Sequence, residues 1–90
     1  MARLFKTNGD IQDIGPGNGV CFTLEELQAI VGGGIEVVHL HAGELMVINE
    51  NHRKECRRLN GAATYLYEKG TGCTDLIHGD ALICKKGEVE

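Results

Sequence analysis

The sequence predicts an α+β fold: a small antiparallel sheet with one main helix at about residues 23–31 and one short helix at about 60–68. Three stretches carry that expectation. Thr23 stands three residues before Glu26, the capping-box spacing in which a hydroxyl and a carboxylate each accept a backbone N–H. Leu24, Leu27, Ile30 and Val31 then recur at helical spacing up to Gly32, a residue suited to a left-handed cap. Residues 35–40 and 45–48 are apolar runs rich in β-branched side chains, and Ala42-Gly43 between them gives a hairpin. Asn60 is a good N-cap for the second helix, with Ala62, Ala63 and Leu66 as its packing face and Gly70 as its stop.

The remaining elements follow in chain order. Residues 2–6 alternate weakly, Asn8-Gly9-Asp10 is a strong turn signal and residues 11–14 return, so a first hairpin is expected. Residues 15–19, three glycines around a proline, break regular structure; they contain neither of the glycine patterns that cradle phosphate and read as a connector. Residues 20–22 are placed to staple the first helix. Asn49-Glu50-Asn51 turns the chain, and residues 55–59 return as a short strand. Residues 76–84 form a last strand interrupted at Gly79-Asp80, and the charged tail from Lys85 is expected to fray.

Ninety residues correspond to one domain, too small to bury most of its surface, so self-association is an expected route to more buried area. The chain is 42% hydrophobic with no tryptophan, which makes the core aliphatic. A formal charge of −4 argues against binding long nucleic acid or a membrane surface, since both need a basic face. No apolar run is long enough to span a bilayer and no export signal is evident, so a cytoplasmic location is expected. Cys21, Cys56, Cys73 and Cys84 show no CxxC spacing and read as small buried thiols rather than disulfides or a zinc site.

Several polar positions are candidates for contact with a ligand. Gly32-Gly33-Gly34 contains more glycine than a helix cap needs, so Gly33 and Gly34 could admit a ligand or a second backbone. Glu36 shares a strand face with Val38 and Leu40 and needs a partner or solvent. His39 and His41, two residues apart, would share the opposite face but form an incomplete metal site; edge histidines are the plainer reading. Arg53, Lys54, Arg57 and Arg58 make the one dense basic segment, the best candidate for meeting an anion, against the alternative of a solvated surface.

These residues resemble a family of small bacterial and bacteriophage proteins classed as a domain of unknown function. The resemblance rests on Leu27-Gln28, Val31-Gly32-Gly33-Gly34-Ile35-Glu36, Val47-Ile48-Asn49-Glu50, Leu59-Asn60 with Ala63, and Ile77 with Gly79-Asp80, and spans residues 24–83. Gly34 departs from the pattern, which usually has a bulky residue there. The resemblance implies a phage-type counter-defence protein that sequesters a nucleotide second messenger as a symmetric homo-oligomer, without chemistry or cofactor. For such a protein Arg57 and Arg58 would meet phosphate, Tyr65 or Tyr67 would stack on a base, and Glu36, Asn49 and Asn60 would read base edges. The alternative is an interaction domain that inhibits a host protein. An enzyme is the least favoured class, because the chain has no serine and its cysteines have no predictable histidine partner.

Overall fold

The computed structural model describes residues 2–17, 19, 21–52 and 58–89. Five strands, β1 (Ala2–Phe5), β2 (Ile11–Ile14), β3 (Ile35–His39), β4 (Glu44–Asn49) and β5 (Ala81–Lys85), form one sheet in the order β2-β1-β5-β4-β3, antiparallel throughout. Two helices, α1 (Leu24–Val31) and α2 (Gly61–Thr71), complete the α+β fold.

Side-chain alternation places the helices on opposite faces. Leu45 and Val47 of β4, Leu82 and Cys84 of β5, and Ala2 and Leu4 of β1 cluster with Leu27 and Val31 of α1. Met46, Ile48, Ala81, Ile83 and Phe5 point the other way and cluster with Ala63 of α2 and with Ile77. A strand covered on both faces needs apolar side chains at every position, which is why residues 45–48 and 81–84 show continuous apolar runs.

The start of α1 is as the sequence implies. Thr23 accepts the Glu26 N–H at 3.2 Å, Glu26 Oε1 accepts the Thr23 N–H at 3.0 Å, and Gly32 ends the helix at φ 80°. Phe22, just before the cap, is buried with Leu27 in the same cluster, a hydrophobic staple. The connector is tied in as well, since Gly17 N–H donates to Glu26 Oε2 at 2.7 Å. Of the expected stripe, Leu24 is exposed.

Several expectations are corrected. The supposedly short second helix is the longer one: α2 has 11 residues against 8, and it runs through Gly70 to a left-handed Gly72 at φ 76°. Gly70 serves close packing, because a Cβ there would lie 2.9 Å from the Leu40 Cβ. Residues 76–80 are irregular rather than strand. Of the expected strand at 55–59, residues 55–57 lie outside the described set, Arg58 is irregular and Leu59 forms a single bridge to His78. His41 has left β3 for a 3-10 turn at His41–Gly43, so it does not share a strand face with His39. Nor is the tail frayed, because Phe22 N–H donates to Glu88 O at 2.7 Å and Val89 packs on the α1 cluster.

Candidate functional site

The expected site residues fall at separate places. Gly33, Gly34 and Asn49 come together where α1 hands over to β3. Asn49 is buried; its Nδ2 donates to Val31 O at 3.2 Å and its Oδ1 accepts the Asn51 N–H at 2.7 Å, so the amide caps the end of α1 and shapes the turn after β4. The glycines make room for the chain's own side chains. A Cβ on Gly33 would sit 2.9 Å from Asn49 Nδ2, and one on Gly34 would collide with the Glu50 carboxylate.

Asn60 is the joint between α2, β1 and residues 77–79. Its Oδ1 accepts the Ala63 N–H at 3.0 Å, while Nδ2 donates to Phe5 O at 2.8 Å and Gly79 O at 3.0 Å. Thr64 strengthens the joint, donating from Oγ1 to Asn60 O at 2.8 Å and accepting the Ile77 N–H at 3.0 Å. Both amide N–H groups and the oxygen of Asn60 are engaged, and the side chain is buried out of a ligand's reach, which makes Asn60 architectural. Arg58 is exposed, and its carbonyl accepts the Gly79 N–H. Arg57 and the rest of the basic segment, Arg53 and Lys54, lie outside the described residues. Close by, buried His52 accepts the His78 N–H at Nδ1, 3.0 Å away, which requires that nitrogen to be unprotonated.

Glu36 and Tyr65 are exposed on separate elements. Glu36 lies on β3 opposite Ile48. Tyr65, 60% exposed, stands on α2 with the Lys69 ammonium 5.6 Å from its ring centre, a cation–π contact at helical i,i+4 spacing.

Lys69 also lines a concave site that the sequence reading did not single out. A cavity of about 160 Å³ lies between α2, the turn after β3 and β5, bounded by Leu40, His41, Glu44, Leu66, Lys69, Gly70 and Ile83. Leu40, Leu66 and Ile83 give it an apolar interior, and His41, Glu44 and Lys69 are its polar members. The Glu44 carboxylate faces the Lys85 ammonium at 3.7 Å, which offsets its charge and leaves Lys69 as the cation available to a guest among the described lining residues. Gly70 shapes the cavity by letting Leu40 lie against α2. The one sequence signal for this place was the Tyr65–Lys69 spacing. Leu40 and Ile83 join it only through tertiary packing.

Two pKa shifts define chemistry elsewhere. Burial pushes the Cys84 thiol up to about 11, helped by the nearby Glu88 and Glu44 charges, so it stays protonated at neutral pH. The Glu26 carboxyl is held below the usual carboxylate range by the N–H of Thr23 and then that of Gly17. Of the four expected buried thiols Cys84 alone is shown buried: Cys21 is half-buried, Cys73 is exposed where residues 73–77 are irregular, and Cys56 lies outside the described residues. Among the described residues no three of His, Cys, Asp and Glu converge as metal ligands.

A two-helix α+β domain with its sheet covered on both faces defines the class. The chain belongs to the DUF3846 family, a domain of unknown function, whose profile matches residues 6–90. No curated protein and no solved structure gives a significant match. No helix among the described residues is long and apolar enough to cross a membrane.

Proposed function

We propose that this chain is a non-catalytic binding protein that holds a small ligand with a flat ring and a negatively charged group, a nucleotide-type molecule, at the α2 cavity. The carrying observation is the Lys69 ammonium, which both lines the apolar cavity and lies over exposed Tyr65. That combination offers an apolar wall, a stacking surface and a cation within one helical turn. The volume of about 160 Å³ suits one ring and not a whole mononucleotide, so the phosphate would lie outside, at the Lys69 ammonium. Sequestration needs affinity and release of an unchanged ligand. The phage counter-defence setting and the homo-oligomer belong to this same proposal.

The test is a thermal-shift screen against cyclic and linear nucleotides, followed by chromatography of whatever is released on heating. A ligand at one hundred times its dissociation constant should stabilise the parent by about 2.7 kcal/mol. Lys69→Glu should abolish the shift while leaving the unliganded midpoint close to that of the parent. A nucleotide recovered altered would instead indicate an enzyme.

A second reading, a domain that inhibits a host protein by surface contact, draws on exposed Ile11, Leu24, Leu59 and Leu76. It predicts that a host protein is retained by the immobilised chain through those side chains, with no stabilisation by any nucleotide.

A further inference from the structure

Among the described residues the outer edge of β3 is unpaired. β3 ends the sheet, next to β4 alone. Gly34 O accepts the Glu50 N–H at 2.9 Å and Leu40 N–H donates to Glu44 O at 2.8 Å. The one-to-one register between these ends makes Glu36 and Val38 the residues that bond to β4. Alternation then turns the N–H and C=O of Ile35, Val37 and His39 outward, where no strand among the described residues meets them. Sheet edges of this kind are usually blunted by lysine, proline, a bulge or an inward charge. The β3 sequence IEVVH has neither lysine nor proline and its register has no bulge; its one formal charge, the exposed Glu36, lies on the α2 face with Val38 and Leu40 and has to stay at solvent when a strand is added.

The other edge is different. Lys6 N–H donates to Asp10 O at 2.9 Å, so the same alternation turns Ile11 and Asp13 outward on β2. That edge carries a carboxylate at one of its two open positions, and Gly15-Pro16 follow at once.

Both hydrophobic layers also run out at β3. Ile35 packs half-buried on the α1 cluster, Val38 and Leu40 pack half-buried on the α2 cluster, and Val37 is 37% exposed. A further strand would extend both layers, which a chain of 90 residues has reason to do.

We infer that the chain forms a two-fold symmetric dimer by antiparallel pairing of β3 with β3 of a second copy, centred on Val37. In this register Val37 faces Val37, Ile35 faces His39, and Glu36 faces Val38 of the other copy; each outward residue both donates and accepts. Neighbouring registers are poorer. Centring on residue 36 sets the two Glu36 carboxylates directly opposite each other, and centring on residue 38 pairs Ile35 with His41, which has left the strand. The Val37 register also places Leu40 opposite Gly34 of the second copy, with that copy's Glu36 diagonal to Leu40 on the α2 face. A carboxylate from one subunit thereby approaches the Lys69 cavity of the other and supplies an acceptor for a base-edge N–H. The dimer itself stands on the strand edge alone, whereas this last consequence rests on the ligand reading above.

The test uses the full-length chain without ligand, by sedimentation velocity together with amide hydrogen exchange. The parent should sediment as a dimer, and the amides of Ile35, Val37 and His39 should be protected like those of Glu36 and Val38. Val37→Pro removes an N–H that faces away from β4, and it should yield a folded monomer with those flanking amides exposed. Should that variant fail to fold, Val37→Lys carries the test, weakening dimerisation by at least about tenfold through a charge at the two-fold axis. A parent that stays monomeric, unprotected Ile35, Val37 and His39 amides in a dimer, or a Val37→Lys dimer as tight as the parent would each overturn the inference. Nucleotide uptake is read separately by the thermal-shift screen, so failure of the dimer and failure of the ligand reading are distinguishable.

Discussion

Asn60 and Lys69 sit at the two ends of α2 and teach opposite lessons about polar residues. Asn60 is buried, with its side chain committed to Phe5, Gly79 and Ala63. Lys69 stands at the surface beside an open cavity, its contact among the described residues being the face of Tyr65. Both are polar groups that a sequence reader would weigh for a site. What separates them is whether the chain has already used their hydrogen-bonding capacity: a committed amide organises the fold, and an uncommitted ammonium can meet a guest.

The largest expected effect breaks the structural end of that contrast. Asn60→Ala removes both donations to carbonyls and leaves the Ala63 N–H without its acceptor, so it should destabilise by about 3 kcal/mol, or roughly 12–24 °C in Tm. Denaturant unfolding and calorimetry would measure it. Asn49→Ala, by the same reasoning with fewer bonds, should cost about 1–2 kcal/mol. A loss below about 0.5 kcal/mol at Asn60 would contradict its role as a joint.

The glycines sharpen the comparison at intermediate size. Gly33→Ala both puts a side chain at φ 159° and pushes on Asn49, a buried amide held to Val31 O, and should cost about 1–2 kcal/mol, read from the denaturation midpoint. Gly34→Ala pushes on the far end of Glu50, an exposed side chain free to swing away, and should cost less than about 1 kcal/mol. Equal costs would mean that commitment of the neighbour does not decide the outcome.

At Lys69 the comparison predicts little change in stability and a large change in binding. Lys69→Ala and Tyr65→Ala should each stay within about 0.5 kcal/mol of the parent in unfolding experiments, since both side chains are exposed. Each should weaken nucleotide uptake by about tenfold or more, corresponding to one lost charged or stacking contact.

The smallest effect concerns acid. The folded-state pKa of Glu26 is depressed, so its contribution is present above the unfolded carboxylate pKa and is lost as pH falls through the folded value. Glu26→Ala should therefore lower Tm at neutral pH, and the gap to the parent should narrow as pH falls below about 4. A gap that widens in acid would contradict the assigned cause.

Local chemistry made part of this molecule legible. The Thr23–Glu26 capping box, the Gly32 cap and the two hairpins each depend on residues a few positions apart, and their signals survive in the linear order. The end of α2 did not, because Gly70 looks like a helix stop until Leu40 is found against it, thirty positions earlier. The tail looked solvated because the Phe22–Glu88 bond that docks it joins opposite ends of the chain. The candidate site was the least legible part. Tyr65 could be nominated by type, but the cavity beside it is assembled from α2, the turn at His41 and Ile83 of β5, brought together only by the crossing of helix and sheet. Asn49 and Asn60 were nominated for the opposite reason: an isolated amide gives no sign of the carbonyls that already claim it.

The most direct measurement of the central claim is an amide-resolved NMR titration of the isotope-labelled chain with the nucleotide that gives the largest thermal shift. The account predicts saturable perturbations at His41, Tyr65, Leu66, Lys69 and Gly70, with Asn49 and Asn60 unmoved. Perturbations centred on Gly33 and Asn49, or none at any of the nucleotides screened, would contradict it.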